Sequence, residues 1–235
     1  MNPESILASW LEESSARLYV QGRTLVTLSY AQSLDGSIAR ARGKPLTLSG
    51  PESMQLTHQL RAAQDAILVG IGTVQADDPQ LTVRLVEGKS PTPIILDSKL
   101  EISPKARLFQ NPKKPIVVCL ESKVDSIKAR DILRAGATLL PAKPDDEDRL
   151  SLPHLLNELP HLGIKSVMVE GGAKVIGAFI RQNLVDRVML TVTPVYVGGL
   201  KALEHPLNDS PELGETMVFP AGRDIIFLGE FSVDL

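Results

Sequence analysis

Four short apolar runs, at residues 67–69, 94–96, 116–120 and 166–169, most constrain what this chain can fold into. Each is too brief for a helix and reads as a buried strand, and helical segments lie between them, the pattern of an α/β domain. Residues 24–30, rich in Thr, Val and Leu and alternating in places, add another strand. Segments 187–197 and 225–235 are longer and read as late strands paired antiparallel, so the expected sheet is mixed rather than plainly doubly wound.

Helices are expected in the gaps. Ser49-Gly50-Pro51-Glu52 has the spacing of a capping box, tolerates Pro51 in a first turn, and predicts a helix running to about Gln64. Residues 122–135 form a second that stops at Gly136, 150–162 a third interrupted at Pro153 and Pro160, and 172–182 a fourth. Residues 4–17 read as an amphipathic N-terminal helix, and the polar, proline-containing 141–148 as a surface loop. No repeat, low-complexity tract or dividing linker is visible. The expected organisation is a helical extension over 1–22 and a single domain over 23–235.

Composition excludes several classes of function. A formal net charge of −3 is too near neutral for a nucleic-acid or membrane surface, although a local basic patch could hold a phosphorylated small molecule. The single cysteine, Cys119, lies in an apolar run, which rules out an internal disulfide or a cysteine-based zinc cluster and makes it a core residue. The start, Met1-Asn2-Pro3-Glu4-Ser5, lacks the basic and apolar regions of a leader. No run approaches the roughly 20 apolar residues of a membrane helix, so the cytoplasm is the expected location.

Three segments could carry chemistry. In Leu28-Ser29-Tyr30-Ala31-Gln32-Ser33-Leu34-Asp35-Gly36-Ser37-Ile38, polar side chains interrupt a strand before an Asp-Gly turn, and an ordinary turn explains it equally well. In the second, Gly70-Ile71-Gly72-Thr73-Val74-Gln75-Ala76-Asp77-Asp78-Pro79-Gln80-Leu81-Thr82-Val83-Arg84, a buried strand runs into a glycine pair, a hydroxyl, two carboxylates and an arginine. Adjacent carboxylates in an extended chain point to opposite sides, so a metal clamp is disfavoured against a turn role for one and a ligand hydrogen bond for the other. In the third, Val167-Met168-Val169-Glu170-Gly171-Gly172-Ala173-Lys174-Val175-Ile176-Gly177, a strand delivers Glu170, two glycines turn, and a helix begins with free N–H groups and its positive dipole end. That arrangement can cradle an anion such as a pyrophosphate, and a close-packed structural turn would look the same. It is not the Gly-x-Gly-x-x-Gly fingerprint, which disfavours a standard Rossmann domain.

His58, His154, His161 and His205 show no metal spacing and read as surface or satisfied structural residues; no metal site is expected. No nucleophile elbow or phosphate-binding Gly-x-x-x-x-Gly-Lys loop is present, and acid–base residues are sparse. A reaction driven by a bound cofactor suits such a chain.

Read together, Val26 to Gly36, Leu48-Ser49-Gly50-Pro51-Glu52-Ser53, Leu60-Arg61-Ala62, the block from Gly70 to Arg84 and Glu170-Gly171-Gly172 closely resemble the pyrimidine reductases of riboflavin biosynthesis. The likeness covers nearly the whole chain from about Arg23, in the family's order and spacing. It implies a dihydrofolate-reductase-like α/β fold, with a mixed, mostly parallel central sheet, an antiparallel C-terminal part and helices on both faces. It also implies NADPH as hydride donor, a phosphoribosylamino-pyrimidine substrate reduced at C1′ of the ring-opened ribose, and a homodimer.

By position, the resemblance gives cofactor contacts to Ala31, Thr47, Thr73, Asp77 and Ser98, and a phosphate-binding turn to Gly171, Gly172, Ala173, Lys174, Val175 and Ile176. It gives substrate contacts to Arg61, Leu81, Arg84 and Glu170. Asp35 is expected to be a wall or orienting residue, and Asp35 and Glu170 are the candidates for a catalytic role. The chain lacks the zinc deaminase that bifunctional bacterial members carry, and has Ser29 where those members commonly have lysine. Both features resemble the stand-alone fungal and archaeal branch, which favours the 2,5-diamino-pyrimidinone phosphate over the deaminated amino-uracil phosphate. A pterin reductase on the same scaffold is disfavoured by Arg61 and Arg84, and a non-catalytic binding domain by the intact Glu170 turn and Asp77 block.

Overall fold

Alternate side chains of the buried strands go to opposite faces of the sheet, and that alternation builds a core on each side. The computed structural model describes residues 2–18, 22–44, 46–146, 149–207 and 209–231. Its strands are β1 (Leu25–Ser33), β2 (Ser37–Ala39), β3 (Ala66–Gly70), β4 (Thr92–Leu96), β5 (Ile116–Leu120), β6 (Thr138–Ala142), β7 (Ser166–Gly171), β8 (Arg187–Thr193), β9 (Leu200–Lys201), β10 (Leu213–Ala221) and β11 (Asp224–Phe231). The helices are α1 (Pro3–Leu18), α2 (Pro51–Ala62), α3 (Ile71–Asp77), α4 (Ile127–Arg134), α5 (Leu152–Glu158) and α6 (Ala173–Arg181).

Among the described residues, nine strands form one sheet in the order β10-β11-β8-β1-β7-β3-β4-β5-β6. It is parallel from β8 through β1 to β6, while β11 and β10 add antiparallel pairs beyond β8. On one face Val26, Leu28, Leu68 and Val169 pack with α5 and α6. On the other, Ile67, Val69, Ile95 and Val117 pack with α3 and α4, and Met168 and Met189 with α1 and α2. Leu56 and Leu60 of α2 are buried there, each contributing about 1.5–3 kcal/mol of apolar transfer.

Several expectations need correction. The capping box is not used: Gly50 is the N-cap of α2 and has no side-chain cap, while the Asp224 carboxylate accepts from the Gly50 N–H (2.7 Å) and from the Ser53 hydroxyl. The 122–135 helix is shortened to α4, which Ser126 caps by accepting from the Ala129 N–H at 3.2 Å. Residues 141 and 142, read as loop, belong to β6. Pro141 is tolerated because β6 is an edge strand, where the missing N–H breaks no ladder. The block after Gly70 is not extended but folds at once into α3, which ends at Asp78 in the left-handed region (φ 40°). The expected strand over 225–235 ends at Phe231, and residues 232–235 lie outside the described residues.

Candidate active site

Parallel strands deliver ligand-facing groups at their C-terminal ends, and here β1, β3 and β7 end at one cleft of about 750 Å³. Ser29, Tyr30 and Ala31 come from β1, Gly70 to Thr73 from the β3–α3 junction, and Glu170 to Ile176 from β7 and α6. Ile38, Ala39, residues 41–44 and 46–49, and the Met54, Thr57, Arg61 face of α2 complete the walls.

Local irregularity aims Glu170 at this cleft. Leu68 pairs with Val169 but Val69 pairs with Gly171, so Glu170 is the extra residue of a β-bulge, a device that turns a side chain out of the ladder. Gly171 and Gly172 follow, both at φ +94°, where side chains are strained. A Cβ on Gly171 would lie 2.7 Å from Ile176 Cγ1, and one on Gly172 3.0 Å from Thr73 Oγ1. The Thr73 hydroxyl donates to the Gly171 carbonyl at 3.0 Å, tying α3 to this turn. Backbone therefore fronts the cleft at the N-terminus of α6, whose first N–H groups have no intrahelical acceptor.

Glu170 meets Arg61 in a two-pronged pair, Nε to Oε1 at 2.5 Å and Nη2 to Oε2 at 2.7 Å. Burial opposes the Arg61 charge, and the Glu170 carboxylate more than offsets it, so the guanidinium pKa is raised. Arg61 Nη1 also donates to the Thr82 carbonyl at 3.2 Å. Behind the pair lies His58, whose Nδ1 accepts from the Arg84 N–H at 2.9 Å. Burial and the charges of Arg61 and Arg84 push its pKa down to about 4, so it is neutral near pH 7. Burial raises the pKa of Asp77 and of Tyr30, both on the cleft wall.

The structure brings together Ala31, Thr47, Arg61, Thr73, Asp77, Glu170 and the whole 171–176 turn on one wall. Four expected residues stand apart. Leu81, at φ +55°, is 2% exposed and packs in the core with Ile67 and Val69, because a tight turn points its side chain inward. Arg84 is exposed beside the cleft rather than on its wall; its backbone is anchored on His58 and its guanidinium reaches Thr82 Oγ1 at 3.1 Å. Ser98 lies in an adjoining cavity. Asp35 is a turn organiser: its carboxylate accepts from Ser33 and Ser37 hydroxyls (2.6 Å each), the Val197 and Gly198 N–H groups and Lys201 Nζ (2.8 Å). The Lys201 bond, then those from Ser33 and Ser37, hold its pKa far below the usual carboxylate range. Ile38, Ala39 and Leu200, close in the chain to the residues of this turn, line the cleft wall, and Asp35 itself does not.

Of its two expected readings, His58 is the satisfied structural histidine, buried and bonded to the Arg84 N–H, while the cleft residues Met54 and Thr57 were not singled out from sequence. The latter two are legible as the i, i+3, i+7 face that carries Arg61. Asp78 does shape its turn, accepting from the Arg107 N–H at 2.9 Å. Cys119 is buried as expected. No group of residues that could hold a metal occurs among the described residues.

A mixed sheet with a ligand-sized cleft at the C-terminal strand ends is the architecture of the dihydrofolate-reductase class. The solved dihydrofolate reductase of Enterococcus faecalis superposes with a TM-score of 0.52 over 91% of this chain and 98% of its own, at 14% identity. Residues 24–227 match the model of the RibD C-terminal domain, and the chain belongs to that family. It is 35% identical over 187 residues to the 2,5-diamino-6-ribosylamino-4(3H)-pyrimidinone 5′-phosphate reductase of Archaeoglobus fulgidus, covering 75% of this chain and 83% of that one. The same-named protein of Candida glabrata is 36% identical over 195 residues, 75% of this chain and 77% of that one. Among solved structures, the Acinetobacter baumannii RibD superposes with a TM-score of 0.81 and 25% identity, covering 96% of this chain and 63% of its own. The yeast riboflavin biosynthesis reductase Rib7 gives 0.73 and 28%, covering 90% and 91%.

Proposed function

We propose that this oxidoreductase of riboflavin biosynthesis uses NADPH to reduce the ribosylamino group of 2,5-diamino-6-ribosylamino-4(3H)-pyrimidinone 5′-phosphate to the ribitylamino group. The observation that carries the reading is one cleft that sets a glycine turn at a helix N-terminus beside a carboxylate–guanidinium pair. The names of the archaeal and yeast relatives support the choice of pyrimidine.

The residues present suit the cofactor. A Cβ on Gly72 would meet nothing within 4 Å, so the start of α3 opens onto free space, and the 171–172 turn presents backbone without side chains. When bound, the reduced nicotinamide supplies a hydride to C1′ of the ring-opened, imine-like ribosylamino group. The 171–176 turn holds the pyrophosphate with N–H groups and the helix dipole. Thr73 and Asp77 line the same wall and offer hydrogen bonds to ribose hydroxyls. Next to that turn Glu170 accepts from the substrate's hydroxyl or amino groups, and Arg61 holds that carboxylate in place. Arg84, beside the cleft, supplies a charge for the ribose phosphate. Ile38, Ala39 and residues 41–44 and 46–49 wall the cleft, which limits water near the reacting carbon.

The reading includes a homodimer and a cytoplasmic location. For the dimer, Val218 and Ile225 are 56% and 38% exposed on the antiparallel strands, forming an apolar strip that a second copy would cover. Among the described residues no helix is long and apolar enough to cross a membrane.

The test compares the diamino compound and its deaminated amino-uracil counterpart side by side, following loss of reduced-nicotinamide absorbance. A kcat/KM at least about tenfold higher with the diamino compound is expected, the discrimination a site gains when it pairs with a polar group that the competitor lacks. The reverse preference would assign the amino-uracil phosphate as substrate, and turnover of neither would overturn the reading.

A further inference from the structure

Residues 78–91, which join α3 to β4, contain no helix or strand, so their backbone groups need other partners. Three successive residues find them on side chains. The Thr82 carbonyl accepts from Arg61 Nη1 at 3.2 Å, the Val83 N–H donates to Ser90 Oγ at 3.1 Å, and the Arg84 N–H donates to His58 Nδ1 at 2.9 Å. Two of these supports stand on α2, where His58 and Arg61 lie three residues apart and so share a helix face. The segment meets the same helix again at Gly88, where a Cβ would lie 2.7 Å from Ala62 Cβ. The chain around Arg84 is thus seated on α2 by side chains rather than by a ladder.

His58 is 1% exposed and does not line the cleft. A neutral ring that accepts at Nδ1 carries its proton on Nε2. Nε2 stands 3.4 Å from Arg61 Nη1, which is then donor facing donor, so the ring gives its one acceptor to Arg84. The Arg84 side chain leaves the Cα next to that N–H, and fixing the N–H fixes where the guanidinium begins. The far end is lightly held, by Thr82 Oγ1 at 3.1 Å and Gln80 Oε1 at 3.5 Å. An arginine with a fixed root and an exchangeable tip meets an incoming anion with less ordering left to do.

We propose that His58 is a positioning residue for the substrate phosphate: by holding the Arg84 backbone on α2 it sets the reach of the Arg84 guanidinium, and so makes the site prefer a 5′-phosphorylated ribosylamino-pyrimidine over its unphosphorylated form. The proposal rests on the substrate reading above and adds to it a residue that lies off the cleft wall.

Steady-state kinetics on the full chain, with the diamino compound and its unphosphorylated ribosylamino counterpart, test it beside a titration with NADPH. His58→Leu should raise KM for the phosphorylated compound about fivefold, and leave its kcat, the kcat/KM of the unphosphorylated compound and the NADPH Kd within about twofold. His58→Asn, whose Oδ1 is bonded to the same side-chain carbon as the Nδ1 it replaces, should recover most of the loss. Added to Arg84→Ala, the leucine substitution should raise KM no further, because the grip it serves is already gone. Should the leucine variant not fold, His58→Met, a more adaptable apolar filler, is read in the same way. An unchanged KM for the phosphorylated compound, an equal fall in kcat/KM for both compounds, or a double variant in which the two effects multiply would each overturn the positioning role and leave the function standing. A wild type that reduces neither compound would overturn the function, and this role with it.

Discussion

Arg61–Glu170 and Arg23–Asp186 are the same chemical pair at opposite ends of one sheet, and they are built for opposite ends. At the start of β1, Asp186 Oδ1 accepts from Arg23 Nη2 (2.6 Å), while Oδ2 accepts from Arg23 Nη1 (2.9 Å) and the Val26 N–H (2.6 Å). Its side chain is 3% exposed, and both oxygens are committed to holding β1 beside β8. At the far end of β7, Glu170 meets only Arg61 among the described residues and is 15% exposed on a cleft wall. A pair that also ties down backbone is a staple; a pair with lone pairs left toward a cavity can exchange partners with a ligand.

The largest expected effect is on the open pair. Glu170→Gln keeps the shape and removes the charge that a developing transition state feels, so kcat/KM should fall about 100-fold or more. Glutamine can still accept from one Arg61 N–H but leaves a guanidinium only 12% exposed without its counter-charge, so stability should also fall, by about 1–3 kcal/mol, read by urea unfolding. Loss of stability with activity retained would make Glu170 a staple too.

Asp186→Asn should cost stability without activity. Every donor around this carboxylate points inward, so an amide must aim its NH2 at another donor whichever way it is turned. A loss of about 2–3 kcal/mol in unfolding free energy is expected, with KM for the pyrimidine unchanged. A shift in KM without loss of stability would erase the contrast between the two ends.

How far these ends could be read from sequence differs in the same way. The central strands were legible because they are short runs buried on both faces, and the 171–172 turn because consecutive glycines announce positive φ. β10 was not, since Leu213–Ala221 is an outer strand with five consecutive exposed residues and no clean alternation. α3 hid behind two glycines that read as a turn. The Arg61–Glu170 pairing joins residues 109 apart and depends on a one-residue bulge that no local pattern signals. Leu81 misled for a related reason: a motif marks a position as important without saying whether its side chain faces ligand or core.

Arg84 sharpens the comparison because it is a third kind of arginine, exposed and lightly held. Its guanidinium has Thr82 Oγ1 at 3.1 Å and Gln80 Oε1 at 3.5 Å, contacts that cost little to exchange for a phosphate. Arg84→Ala should raise the pyrimidine KM about tenfold, the worth of one charge-assisted contact, while the NADPH Kd and unfolding free energy stay unchanged. Steady-state kinetics beside a cofactor titration would decide; equal weakening of both ligands, or of neither, removes Arg84 from the substrate site.

The smallest effect concerns His58, which links the open pair to Arg84. In the folded protein its pKa is about 4 against an ordinary 6.5, because burial and two guanidinium groups disfavour its charge. The unfolded chain therefore takes up a proton in this window that the folded chain refuses. Its contribution to stability is fully present above about pH 6.5 and declines as pH falls toward 4, with a slope of up to about 1.4 kcal/mol per unit. Unfolding free energy should drop by about 1–2 kcal/mol between pH 6.5 and about 5 from this residue alone. His58→Gln, which can still accept from the Arg84 N–H, should flatten that part of the profile while lowering stability at neutral pH by about 1 kcal/mol. The acid limb of unfolding would then separate the two pairs: a profile unchanged in His58→Gln would place the titrating group elsewhere, and one that flattens would place it behind the cleft.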